Sequence, residues 1–280
     1  MKILITGANG MLAKAVRERF KDEELICTDV AELDITSEES VLKFVEENKP
    51  EYIINCAAYT AVDKAEENED LADKINAIGP KNLAIAAKKN DCTLVHISTD
   101  YVFAGDLDTE KCYKEEDEKG PVTVYGKTKL HGEELIQENA EKYYIFRTAW
   151  LYGDGNNFVR TMVKAGKERE EVSVVNDQHG SPTYRVDLAN VIAEAIEKKI
   201  PYGVYHTTNE GFTTWYDFTK IIYEIANIDC KVLPVTSEQF VRPAKRPKNS
   251  MLSKEKLVKA GIQIPEYEDA LKRYLSIELN

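Results

Sequence analysis

Short, nearly continuous apolar runs alternate along the first half of the chain with stretches in which apolar residues recur every three or four positions. "KILIT" (2–6) precedes "MLAKAVRERF", "LICTD" (25–29) precedes "SEESVLKFVEEN", and "YIINCA" (52–57) precedes a long helical region around 69–89. "TLVHIS" (93–98) leads through a loop to a helix carrying "VYGKTKLHGEE" (124–134), and "YYIFRT" (143–148) closes the series. Runs this short and this apolar predict strands buried on both faces, as in parallel sheets. With a helix between successive strands and right-handed crossovers, they predict an α/β fold with a doubly wound parallel sheet.

After residue 150 the pattern loosens. A helix is predicted near 157–169, an amphipathic helix in "VDLANVIAEAIEK" (186–198), and one more sheet strand in "GVYHTT" (203–208). Farther on come "TTWYDFTKIIYEIA", the proline-broken "RPAKRPKNS" and two terminal helical pieces. The expected organisation is a dinucleotide-binding domain over 1–150, with about 185–208 returning to it. A smaller, interleaved C-terminal α/β substrate-binding domain is expected over 151–184 and 209–280.

Composition narrows the function classes. A 43% hydrophobic and 31% charged chain of 280 residues reads as an ordinary soluble globular protein. Its amino-terminal apolar run is too short for a signal peptide, and no segment has the length a membrane-spanning helix needs, so the expectation is a cytoplasmic protein with no membrane partner. A net charge of −12 argues against a nucleic-acid partner, while leaving room for a small anionic ligand on a local basic patch. Five scattered cysteines without a CxxC pair, and four scattered histidines, point to reduced thiols and no metal site.

The first candidate chemistry is "TGANGMLA". Gly7 and Gly10, with Ala13 in third place, form G-x-x-G-x-x-A between a strand and a helix. Small residues let the backbone, with Asn9, Met11 and Leu12, approach a pyrophosphate, and the helix amino terminus favours its charge. This is the Rossmann-like arrangement. Asp29, 19 residues after Gly10, sits where a carboxylate accepts hydrogen bonds from the adenosine ribose and repels a 2′-phosphate. NAD(H) is therefore preferred over NADP(H), which is not ruled out. Asp34 and Ile35 in "ELDIT" are placed beside the adenine.

The second is catalytic. In an open parallel sheet, ligands sit beyond the carboxyl ends of the strands. Ser98 and Thr99 end one strand there, "NCAAYT" ends another, and Tyr125 and Lys129 share a helix face one turn apart. Such a set suits reduction of a carbonyl by hydride transfer, whose oxygen gains charge and needs a proton donor. Tyr125 would donate, with Thr99 holding the carbonyl oxygen beside it. A positive Lys129 nearby would lower the cost of tyrosinate, about two or three pKa units being worth roughly 3–4 kcal/mol. Lys129 would also reach the nicotinamide ribose.

These motifs, together with "NCAAYTAVDKAE", "STDYVF", "FRTAWLYG", "NNFV", "NDQHGSPT" and "RPAKRPKNS", resemble the extended short-chain dehydrogenase/reductase superfamily, and within it the dTDP-4-dehydrorhamnose reductases, nearly end to end. The resemblance implies NAD(P)H-dependent reduction of the 4-keto group of dTDP-4-dehydro-L-rhamnose to dTDP-L-rhamnose. It gives Thr99, Tyr125 and Lys129 the catalytic roles, lays Ala57, Ala58, Tyr59, Thr60 and Ser98 along the cofactor, and makes Asn76 the superfamily's structural asparagine. Trp150 matches the sugar-contacting tryptophan, with Asp100 and Tyr101 in reach of the sugar. Some members are magnesium-linked homodimers, but no full set of their metal ligands matches here.

Arg242, Lys245, Arg246 and Lys248 stand within seven residues stiffened by Pro243 and Pro247, and Arg246 is the candidate ligand for the substrate diphosphate. Alternatives are another nucleotide-sugar reductase or epimerase of the superfamily, or a non-catalytic dinucleotide-binding subunit resembling the beta subunit of methionine adenosyltransferase. A dehydratase would carry Glu after Asp100, where this chain has Tyr101.

Overall fold

The apolar runs become strands because each is wide enough in residues to be covered on both faces. In the computed structural model, which describes residues 1–279, β1 (Lys2–Thr6), β2 (Glu24–Thr28), β3 (Tyr52–Asn55), β4 (Thr93–Thr99) and β5 (Tyr143–Thr148) form one parallel sheet with Gly203–His206. Alternate residues go to opposite sides. Ile3 and Ile5 join Ile54, Val95 and Phe146 under helices Met11–Arg19 and Arg185–Lys198. Leu4, Ile53, Leu94 and Ile145 join Val41, Val45 and Leu83 under helices Glu38–Asn48 and Gly79–Lys89. Full burial of such a side chain is worth about 1.5–3 kcal/mol.

Strand order is β2-β1-β3-β4-β5, then Gly203–His206 beside β5, so the late "GVYHTT" run supplies the outermost strand. β1 pairs with β2 on one side and β3 on the other, and the order reverses there. That switch point opens a crevice at the carboxyl ends of β1 and β3.

The 69–89 stretch is helical throughout but not one regular helix. Lys74–Ile78 is a π-type turn between Glu69–Asp73 and Gly79–Lys89, a local widening common near functional sites. Beyond β5, helices Phe158–Glu168, Trp215–Ala226 and Tyr267–Glu278 pack around a parallel ladder of Glu171–Val175 with Lys231–Val235. Val159, Phe218, Ile222, Leu271 and Tyr274 form the centre of their separate core.

Candidate active site

The glycine loop is shaped by a close approach. Gly7 has φ +62°, and a Cβ on it would lie 2.7 Å from the Ala57 backbone, so β1 and β3 leave no room for a side chain. The Gly10 amide donates to the Gly7 carbonyl at 2.9 Å, and helix Met11–Arg19 begins with no side-chain cap on its amides. Two cavities meet at this turn. One, of about 310 Å³, is lined by Gly7, Asp29, Asp34 and Ile35; the other, of about 470 Å³, by Met11, Leu12, Thr60, Thr99, Tyr125 and Trp150. Gly10, Cys56, Ala57 and Ala58 line both, so the two form one continuous groove along the carboxyl ends of β1 and β3. Asp29 accepts the amides of Asn9 at 3.3 Å and Val30 at 2.9 Å. Thr36, donating from hydroxyl and amide, holds Asp34 below the usual carboxylate range. Burial pushes the Cys56 thiol up to about 12, which leaves it inert.

Helix Val124–Asn139 is started by Thr123, whose hydroxyl accepts the Gly126 amide at 3.0 Å. It packs tightly on the π turn: a Cβ on Gly132 would lie 2.1 Å from the Asn76 carbonyl. From that turn Asn76 accepts the Tyr59 amide at 2.8 Å and donates to the Tyr59 carbonyl and Thr128 hydroxyl, each at 3.1 Å. Asn76 therefore ties the loop after β3 to the Tyr/Lys helix, and lies behind the groove with Tyr59.

Tyr125, Lys129, Ser98, Thr99, Asp100, Tyr101 and Trp150 all border the larger cavity. Burial pushes the Tyr125 phenol up to about 12, opposed by the Thr99 hydroxyl. Lys129 has its amine bound elsewhere. The amine is turned onto β4, 2.6 Å from the Ile97 carbonyl and 3.1 Å from His96 Nε2. Burial pushes Lys129 down to about 8, opposed by Glu133. Thr99 donates to Asp100 Oδ1 at 3.0 Å and accepts the Tyr101 amide at 3.2 Å. Burial raises Asp100 to about 6 against hydrogen bonds from Ser250 and Thr99. Ser98 borders the cavity but spends its hydroxyl on Glu133.

Trp150 takes a left-handed backbone conformation, φ +49°, rare for a bulky residue and characteristic of over-determined sites. Trp215 holds it there, with the two rings stacked 3.6 Å apart and 15° from parallel. Arg246 stands outside the lining of both cavities, near enough for its charge to lower Tyr101.

The glycine groove, the buried phenol and the tryptophan wall together make a reductase-like cleft. Residues 1–279 match the family described as the RmlD substrate binding domain. The chain belongs to this family. Among curated relatives of the RmlD family member, a dTDP-4-dehydrorhamnose reductase of Aggregatibacter actinomycetemcomitans is 40% identical, covering 97% of both chains. A crystal structure of a dTDP-4-dehydrorhamnose reductase from Clostridium acetobutylicum is 51% identical with a TM-score of 0.96, covering 100% of both chains. Another, from Bacillus anthracis in complex with NADP, is 46% identical with a TM-score of 0.95, covering 99% of this chain and 100% of that one.

Several residues of this RmlD-family site escape a reading of local sequence. Asn156 lines the larger cavity, Trp215 backs Trp150, Ser250 holds Asp100, and Asp63 holds Arg246. The histidine in "TLVHIS" is the one signal that was legible: a titratable ring in a run otherwise suited to full burial needs a partner. Among the described residues no helix is long and apolar enough to cross a membrane, and no cluster of three His, Cys, Asp or Glu could hold a metal.

Proposed function

We propose that the chain reduces the 4-keto group of dTDP-4-dehydro-L-rhamnose with NAD(P)H, giving dTDP-L-rhamnose. The observation that carries this reading is that Thr99, Tyr125 and Trp150 border the same cavity as Met11 and Leu12 at the dinucleotide groove. A ketone laid against Trp150 would meet the phenol on one side and the nicotinamide position on the other.

Gly7, Gly10 and the uncapped amides after them would hold the pyrophosphate, and Asp29 the adenosine ribose. When bound, the reduced nicotinamide supplies the hydride. Tyr125 gives its proton to the carbonyl oxygen as that oxygen becomes an alcohol, and regains a proton from solvent. Burial keeps the phenol protonated at neutral pH, as a donor must be. Thr99 would orient the oxygen, with Trp150 and Leu151 lining the cavity beside it. Arg246, outside the cavity lining but near enough for its charge to reach Tyr101, would take the diphosphate.

For the cofactor, NADH is proposed as the better substrate. The adenosine end carries Asp29 and Asp34 and, among the described residues, no Lys or Arg in its lining. The test is reduction of a panel of dTDP-4-keto sugars with NADH and with NADPH. Turnover should require the 4-keto-L-rhamnose nucleotide and fall at least about a thousandfold in Tyr125→Phe while cofactor binding survives. Unchanged turnover in Tyr125→Phe removes the catalytic assignment. Cofactor binding without turnover of any keto sugar would favour the regulatory-subunit reading.

A further inference from the structure

A line of buried polar side chains runs behind the cleft from Thr6 through Asn55 and His96 to Lys129, none more than 1% exposed. Its hydrogens can be counted. The Ala57 amide can only donate, and it donates to Asn55 Oδ1 at 3.1 Å; the Thr6 hydroxyl donates to the same atom at 2.7 Å. The amide orientation is thereby fixed, and Asn55 Nδ2 faces His96 Nδ1 at 3.0 Å. Nδ2 has hydrogens and no available lone pair, so Nδ1 accepts.

Burial holds His96 well below its ordinary range, so the ring is neutral. A neutral ring whose Nδ1 accepts carries its hydrogen on Nε2. That N–H points at Lys129 Nζ, 3.1 Å away. Against an ammonium it would be donor facing donor. Against a neutral amine it is a hydrogen bond to the lone pair, leaving one N–H for the Ile97 carbonyl at 2.6 Å and one for the cleft.

We propose that Asn55 and His96 are positioning residues that set the proton count of Lys129, presenting an imidazole N–H to its nitrogen and so favouring the uncharged amine. The inference deepens the reductase reading and rests on it for its catalytic meaning. The other groups facing Lys129 do not reverse it. Glu133, one turn along the same helix, favours the ammonium, but its charge is met by Arg147 of β5 at 2.7 Å and by Ser98 of β4. Tyr125, on the same helix, is a neutral phenol at neutral pH. The burial that pushes Lys129 down to about 8 acts in the same direction as His96.

The test is 15N NMR of histidine-labelled protein with neither cofactor nor sugar. Of the four histidines, the signal lost in His96→Gln is that of His96. It should be the neutral Nε2–H tautomer at neutral pH. Asn55→Asp keeps the acceptor for Ala57 and Thr6 but offers Nδ1 a carboxylate, so it should switch the ring to Nδ1–H. Nε2 then accepts from an ammonium, and the Lys129 titration followed by side-chain NMR should rise by about one unit or more. The limb of the kcat pH profile that Lys129 governs should rise with it. An imidazolium or Nδ1–H ring in the unmutated protein overturns the proposal. So does a switched ring that leaves the Lys129 titration in place. Should Asn55→Asp not fold, the tautomer of the unmutated protein still decides. Absence of turnover with every sugar would sink the reductase reading, whereas tautomer and titration remain measurable.

Discussion

Arg246 is held by Asp63: its guanidinium donates to Oδ2 at 3.0 Å, while Oδ1 accepts the Ala244 amide at 3.2 Å. One carboxylate thus fastens the basic loop after residue 241 onto the segment that follows Tyr59 and Thr60. The guanidinium is only half-buried, and its charge already reaches Tyr101 at the cleft. A diphosphate arriving there would meet a pre-oriented fork.

Removing that fork should weaken substrate binding and spare the chemistry. Arg246→Ala is expected to raise KM for the dTDP sugar about tenfold to a hundredfold, as for loss of a charged hydrogen-bonding partner worth roughly 1.5–3 kcal/mol. kcat should change less than about threefold. Asp63→Asn, which breaks only a partly exposed ion pair, should move KM less than about fivefold. Steady-state kinetics at fixed ionic strength checks both. A kcat-only effect of Arg246→Ala would remove it from the diphosphate.

Trp215 should matter to the sugar without touching it. Its ring is the plate against which Trp150 is stacked, and Phe158 packs 4.3 Å behind it. Such a stacked pair is worth about 0.5–1.5 kcal/mol beyond its buried area. Trp215→Leu should therefore raise KM for the sugar nucleotide about twofold to tenfold, and Trp215→Phe much less. These are the chain's two tryptophans, so in Trp215→Phe the fluorescence comes from Trp150 alone. It should change on adding substrate, and a silent titration would place the sugar elsewhere.

What was legible in the sequence is what local physics writes there. Strands buried on both faces leave unbroken apolar runs, so β1 to β5 and the Gly203–His206 strand are readable within a residue or two. A glycine turn between strand and helix, and a Tyr and Lys one turn apart, are likewise local. What stayed hidden comes from distant segments meeting at the carboxyl ends of the strands. Asn55 finds His96, Asp63 finds Arg246, and Asp100 finds Ser250 only once the sheet is assembled. The orientation of the Lys129 amine belongs to this class. Helix spacing puts it near Tyr125, but the carbonyl of Ile97 and the ring of His96 decide where it points. The π turn at Asn76 is hidden for a related reason, since it sits where the chain packs closely against the distant Gly132.

The floor beneath the site is one buried ion pair. Arg147 is 2% exposed and Glu133 0%, joined at 2.7 Å, with Arg147 also donating to the Glu115 carbonyl at 3.1 Å. Deleting one partner leaves the other charge uncompensated. Arg147→Met should cost about 3–5 kcal/mol in urea unfolding. The double variant Arg147→Met with Glu133→Leu should recover much of that loss. Additive losses would mean that the two charges do not depend on each other.

Asp100 gives the site a pH signature that stability measurements can read. Burial raises its carboxyl from the ordinary 3.8 to about 6. The folded chain therefore holds a proton there that the unfolded chain has released across this interval. The stabilising contribution is full below about pH 4 and is lost as pH rises through about 6. Two units correspond to about 3 kcal/mol as an upper limit. Asp100→Asn carries no titratable group, still accepts the Thr99 hydroxyl through Oδ1, and can donate to a rotated Ser250. The stability of the unmutated protein minus that of Asp100→Asn should thus fall by about 2–3 kcal/mol between about pH 4 and pH 8, every other titration cancelling in the difference. Urea unfolding of both proteins across that range measures it. A flat difference would mean that Asp100 ionises as an ordinary carboxyl, and Thr99 would then face a negative charge from about pH 4 upward.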